Sequence, residues 1–361
     1  MRSRSGHGSG ARTKQQEYFN FLNSLNAPST KKIYTYCLEQ FLNYCKLDLH
    51  SFLKLPEEQI TDLITEYLDQ KKGSRQFKNV IFAVLKHCCD MNDVLGINWK
   101  KIKKFTKSQK TGNEISGRDR GYTHAEIQKI LEFSDQQIKT AFLILASTGI
   151  RIGALPLLKV GDLERIDDLH KVTVYSGEKE QYITFTTPEA TKEIDAYLEF
   201  RKRRGEHITS ESYLIVRKFS KGQKSLPYKG YSLRSILQFN IENTGLRTIG
   251  SKFKRKETPI LHAFRKFTTK QLVDSKVNPE IREMLLGHKI GLAGVYYKPT
   301  IQEMLNEYMK AIPLLTISNE ERLKFKLEEH VQIEKTRMES MQDEMNKFKQ
   351  ELAAMKKKRK G

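Results

Sequence analysis

Residues 261–300 read LHAFRKFTTKQLVDSKVNPEIREMLLGHKIGLAGVYYKPT. His262 and Arg265 stand three apart, so on a helix they share one face. Pro259, just before them, suits a helix start. A histidine beside an arginine suits an anionic oxygen, because the guanidinium forks onto a phosphate and the imidazole exchanges a proton near neutrality. Further on, Leu285-Leu286-Gly287-His288 has the pattern of a helix end, with its histidine near the negative pole of the helix dipole. Tyr296 and Tyr297 follow, eight and nine residues past His288. Taken singly, each feature has a plain structural explanation: a surface ion pair, a helix terminus, a pair of packing tyrosines.

Upstream, the apolar run Ala141–Ala146 leads into Ser147-Thr148-Gly149-Ile150-Arg151. An arginine after a glycine turn is, alone, most often a surface charge. Segments 171–175 and 181–186 alternate apolar and polar residues around Ser176-Gly177-Glu178-Lys179, which predicts a strand pair with Lys179 at its turn. Thr123 and Glu126 have capping-box spacing and open a helix. The remainder, to about residue 312, reads as helix with basic loops.

Together and in this order, these segments resemble the tyrosine recombinases, also called phage integrases. That family carries an arginine in a T-G-x-R box, a lysine on a β-hairpin, H-x-x-R, L-G-H, and then a tyrosine. The resemblance covers about residues 120–312, and 14–100 resembles the family's helical core-binding domain. The ending Tyr-Tyr-Lys-Pro-Thr looks most like archaeal members, hence a mobile genetic element. The resemblance implies a site-specific recombinase that cleaves and rejoins DNA through a 3′-phosphotyrosine. Arg151 and Arg265 would clamp the scissile phosphate, Lys179 would protonate the leaving 5′ oxygen, and His262 and His288 would bond the phosphate or assist proton transfer. The nucleophile would be Tyr296 or Tyr297; family spacing favours Tyr297 and the archaeal ending favours Tyr296. Tyr308 is the next candidate if neither serves. Fixed guanidiniums supply positive charge where the transition state gathers negative charge, which makes a metal dispensable, and no nucleotide cofactor is expected. Many members carry Glu three residues after the first arginine; here Ala154 stands there. Two other readings use the same residues: a type IB topoisomerase-like relaxation enzyme, and a catalytically silent DNA-binding protein.

Composition agrees with a nucleic-acid partner. Sixty-four Lys+Arg against 43 Asp+Glu leave a formal charge of +21. The expected partner is double-stranded DNA, with a homotetramer on two duplexes as the resemblance implies. Candidate DNA contacts are Lys101, Lys103 and Lys104, the run Arg201, Lys202, Arg203 and Arg204, and Lys252, Lys254, Arg255 and Lys256. Any such run can also be a solvated face. Without an apolar run of 18 residues no membrane span is expected, and the basic start has no apolar signal core. Cys37, Cys45, Cys88 and Cys89 have no C-x-x-C spacing, suggest no metal site, and fit a reducing cytoplasm, on the nucleoid when DNA is bound.

The expected fold is mainly α with a small β-sheet (α+β). It comprises a disordered basic leader at 1–13, a helical core-binding domain at 14–100, a basic linker at 101–120, a catalytic domain at 121–315, and a coiled-coil helix with a basic end at 316–361. Ser29 or Thr30 could cap the second helix of the core-binding domain. In the tail, Leu327, Val331, Glu334, Met338, Met341, Met345, Phe348, Leu352 and Met355 alternate four- and three-residue spacings, the seam of a coiled coil. A single amphipathic helix lying on the body is the competing reading.

Overall fold

The computed structural model describes residues 14–106, 120–217, 226–228, 230–246, 260–291 and 296–358. Contacts divide the chain into two units, Met1–Ile115 and Ser116–Gly361.

In the first unit the apolar residues recur at helical spacing, and helices form where they do: α1 (Lys14–Asn23), α2 (Pro28–Cys45), α3 (Leu49–Leu53), α4 (Glu57–Gln70), α5 (Arg75–Met91) and α6 (Trp99–Lys104). Pro28 starts α2 and no side chain caps it, so neither Ser29 nor Thr30 has the expected role. Asp48 and Ser74 do cap α3 and α5 through the amides of Ser51 and Phe77. Phe21, Leu38, Phe41, Phe52, Ile60, Ile64, Val84 and Leu85 are fully buried. Phe41 lies at the centre, edge-on to Phe52 at 5.1 Å and to Tyr67 at 5.3 Å. Cys88 and Cys89 belong to this core, and burial pushes the Cys89 thiol up to about 12. The segment assigned to a linker from residue 101 begins differently. Ile102 is fully buried and Trp99 meets Phe82 edge-on at 5.7 Å, so α6 is part of this unit. The rest of that segment, 107–119, lies outside the described residues, as do 1–13.

The second unit holds α7 (His124–Glu132), α8 (Gln136–Thr148), β1 (Leu163–Ile166), β2 (Leu169–Val174), β3 (Tyr182–Phe185), α9 (Pro188–Arg203), α10 (Gly230–Asn243), α11 (His262–Asp274), α12 (Pro279–Leu285), α13 (Ile301–Met309), α14 (Ile312–Leu315) and α15 (Asn319–Lys358). The Thr123–Glu126 capping box forms in both directions, at 3.2 and 2.8 Å. From Thr140 to Thr148 every residue of α8 is buried, between α9 and α11. An α-helix apolar on all sides has to be the centre of its unit. The three strands form one antiparallel sheet in the order β1-β2-β3, with Val172 opposite Thr184 and Val174 opposite Tyr182. Sequence alternation predicts β2 and β3 and misses β1, which is short and polar.

The tail is a helix of 40 residues, roughly 60 Å long at the helical rise. Its first turns are tied down. Glu189 accepts the amides of Ile317 at 2.7 Å and Ser318 at 3.1 Å, Lys192 pairs with Glu321, and Phe325 packs on the core. Beyond them the described seam residues face solvent: Leu327, Val331, Met338, Met341 and Met345 are all more than half exposed, while the side chains of Phe348, Leu352 and Met355 lie outside the description. This is not a helix laid along the body.

Candidate active site

The site begins where α8 stops. Gly149 adopts a left-handed conformation, φ +62, and a Cβ there would sit 3.0 Å from atoms of Leu286 and Thr268. Backbone and space both demand glycine. The turn brings out Arg151, whose exposed guanidinium donates from Nη1 to the Gly287 carbonyl at 3.3 Å.

Arg265 lies one turn into α11 and is only 6% exposed. Its Nη1 donates to the Gly149 carbonyl at 2.7 Å, and its Nη2 to the Leu286 carbonyl at 2.5 Å. The same Nη2 lies 2.8 Å from His288 Nε2. One guanidinium thus ties the ends of α8 and α12 together, and Arg151, Arg265 and His288 meet. Burial, and then the charge of Arg151, hold Arg265 below its ordinary value; an arginine remains charged all the same. His288 is held from its other side by Glu283 of α12, with Nδ1 and Oε2 2.5 Å apart. Burial raises the Glu283 carboxyl, but the bonds from His288 and Arg282 outweigh it and leave it below the usual carboxylate range.

Tyr182 of β3 forms the floor. Gly287 has φ +65, and a Cβ there would come within 2.5 Å of the Tyr182 ring, so the motif glycine is needed for conformation and for room. The Tyr182 hydroxyl is buried without a hydrogen bond of good geometry. Burial pushes it up, and the neighbouring charge of Arg265 partly counters this. A cleft of ≈ 910 Å³ opens above, lined among others by Arg151, Lys179, Tyr182, Gly287 and His288. Lys179 is exposed on the turn between β2 and β3, at the position alternation predicts.

His262 is the exposed first residue of α11, one turn before Arg265, and does not line the cleft. Tyr296 is 87% exposed and Tyr297 37%, and neither lines the cleft either. Tyr308 is a core residue: it is 1% exposed and its hydroxyl donates to the Ser147 carbonyl at 3.0 Å, which removes it as an alternative nucleophile. Among the described residues no group of three or more His, Cys, Asp or Glu could hold a metal ion, and no helix is long and apolar enough to cross a membrane.

A model of the phage integrase family matches residues 121–302, which include Arg151, Lys179, Tyr182, Arg265, Glu283, Gly287 and His288. The chain belongs to the phage integrase family. Its fold is shared with solved members. One is the integrase of the Tn1549 transposon in complex with transposon right end DNA: 17% identity, TM-score 0.54, 83% of this chain and 99% of that one. Another is a lambda integrase tetramer bound to a Holliday junction: 15% identity, TM-score 0.52, 80% of this chain and 78% of that one. No curated protein matches the sequence.

The charged surface expected from sequence needs one correction. Arg201 is 1% exposed; its Nε and Nη2 bond Glu206 at 2.7 and 2.5 Å, and its Nη1 bonds the carbonyls of Tyr213 and Leu214. It holds the end of α9 and has no face for DNA. Lys202, Arg203 and Arg204 are exposed, Lys202 against Glu199 and Arg204 over the Phe200 ring. Lys101, Lys103 and Lys104 are exposed on α6 of the first unit. Lys252, Lys254, Arg255 and Lys256 lie outside the described residues. Sequence reading passed over Tyr182 and Glu283. A tyrosine inside a strand pattern reads as packing. Glu283 stands five residues before His288, off the helical i+3 and i+4 spacings, and meets it only because the chain turns at Gly287.

Proposed function

We propose that the protein is a site-specific recombinase that cleaves and rejoins duplex DNA through a 3′-phosphotyrosine intermediate. The observation that carries this is a cleft lined by Arg151, Lys179 and His288, with the buried Arg265 guanidinium directly behind His288, 2.8 Å from its Nε2. A phosphodiester in that cleft would meet the Arg151 guanidinium and, behind His288, that of Arg265, both held in place before the reaction by their carbonyl bonds. Such preorganised donors stabilise charge that develops on the phosphate oxygens. Lys179, on a turn, would reach the leaving 5′ oxygen and protonate it; His262, exposed at the start of α11, takes its role toward the phosphate from the family resemblance alone. The tyrosine ester conserves the bond energy, so rejoining needs no external energy source.

Tyr296 is our assignment for the nucleophile ahead of Tyr297. The archaeal-like ending supports it, and so does its nearly complete exposure against the half-covered ring of Tyr297. Neither ring lines the cleft, so attack requires the hydroxyl to be brought over it. Lys101, Lys103, Lys104, Lys202, Arg203, Arg204 and the basic residues of 252–256 would hold the duplex by its phosphates. Because a family structure is a tetramer on a Holliday junction, we extend the same assembly to this chain, with the exposed seam of α15 pairing between copies as a coiled coil.

Nicked duplexes that lose the leaving fragment trap the covalent intermediate. An adduct with wild type, and none with Arg265→Ala that still binds DNA, is the expected result. Relaxation of supercoiled DNA with no sequence preference would point to a topoisomerase instead, and binding without any adduct would leave a catalytically silent protein.

A further inference from the structure

The cleft's histidine has a carboxylate behind it, and no motif of the sequence accounts for that carboxylate. We propose that Glu283 is a positioning residue: it fixes the ring orientation of His288 and serves as its counter-ion when the ring binds the scissile phosphate. The proposal rests on the recombinase reading.

The bonds around His288 determine where its proton lies. Arg265 Nη2 is 2.8 Å from Nε2, and a guanidinium has only donors, so Nε2 is the acceptor. The ring proton is therefore on Nδ1, which donates to Glu283 Oε2 at 2.5 Å. The His288 amide also donates to the Glu283 carbonyl at 2.9 Å, so backbone and side chain hold the two residues together. When a phosphate accepts the Arg265 donors, Nε2 loses its partner and faces an anionic oxygen. It can bond that oxygen only by taking a proton from solvent, and the ring then becomes a cation. The cationic neighbours oppose this: Arg265 from α11, Arg151 beyond α8, Lys179 of the hairpin, and Lys289 beside it. Glu178 and Glu180 line the same cleft, but Glu283 is the carboxylate in hydrogen-bond contact. A carboxylate on the far nitrogen orients a histidine and stabilises its charged form. Position 154, where many relatives have Glu, has a buried alanine and can contribute nothing of this kind.

The test measures adduct formation on a nicked duplex from acid to mildly alkaline pH. Wild type, Glu283→Gln and Glu283→Asp are compared, with Glu283→Gln repeated in a His288→Ala background. The alkaline fall in rate should move to lower pH in Glu283→Gln by about one unit, a tenfold loss above that point. Aspartate should restore part of the shift, DNA binding should be unchanged, and Glu283→Gln should add nothing once His288 is absent. A Glu283→Gln profile that superimposes on wild type, or an equal loss with and without His288, overturns the proposal. If wild type itself forms no adduct, the recombinase reading fails separately. The His288 ring titration, followed by NMR, then decides: its midpoint must fall in Glu283→Gln, and an unmoved midpoint overturns the proposal.

Discussion

Arg201 and Arg265 are both buried arginines, and their partners separate them. Arg201 spends its donors on Glu206 and on two carbonyls, away from the cleft. Removing one member of a buried pair strands the other charge, so Arg201→Ala should lower unfolding free energy by roughly 3–5 kcal/mol. Denaturant unfolding checks this, and a variant of wild-type stability that binds DNA poorly would return Arg201 to the DNA face. Arg265→Lys keeps the charge but loses the planar fork. It should slow cleavage by on the order of 3 kcal/mol, the scale of one lost transition-state donor. Lys179→Ala should be slow for a different reason, and a substrate with a better 5′ leaving group should rescue it and not Arg265→Lys. If the same substrate rescues both or neither, the roles are misassigned. That His262 and Arg265 stand one turn apart on a helix was legible; that Arg265 is buried against His288 while His262 stays exposed off the cleft was not. That Arg201 belongs to the core was not, because the Arg-Lys-Arg-Arg run reads as uniformly exposed until Glu206 folds back across the end of α9.

The corner at Gly287 joins three elements: α12 ends there, Tyr182 of β3 packs under it, and Arg151 beyond α8 bonds its carbonyl. Gly287→Ala should therefore cost more than about 1 kcal/mol from the positive φ alone, with the collision against Tyr182 added. Tyr182→Ala in the same chain should recover the collision part and leave the conformational part. Strictly additive losses in thermal unfolding would mean the two residues do not touch. Some elements announce themselves in sequence and others do not. The alternation of β2 and β3 stands out because each strand has one face on the core. β1 hides because Glu164 and Arg165 occupy its middle, and only the Asp167-Asp168 turn signals it. α6 hides because Ile102 sits among lysines, so a packed helix has the composition of a linker.

Across the whole molecule, the +21 charge and the exposed α15 seam make two separate statements about partners. The charge implies that DNA affinity falls steeply with salt, since each phosphate contact releases counterions. The seam is the basis of the proposed pairing of copies. A chain ending after Lys326 retains Phe325 and the Glu189 tie, so its body should fold and bind DNA. Its solution mass, by analytical ultracentrifugation, should be that of a monomer at concentrations where the full chain is larger. The same number of copies for both chains would leave α15 without a partner copy. The family and the cleft were legible from short motifs because the chemistry requires particular residues in a particular order. The nucleophile was not, because two adjacent tyrosines satisfy the same pattern and neither lines the cleft. Trapping the covalent intermediate on a pool of nicked duplexes and mapping the modified peptide tests the central claim most directly. DNA is expected on Tyr296, abolished by Tyr296→Phe and preserved by Tyr297→Phe. An adduct on Tyr297 would reverse that assignment and keep the mechanism, and an adduct on neither tyrosine, or none at all, would contradict it.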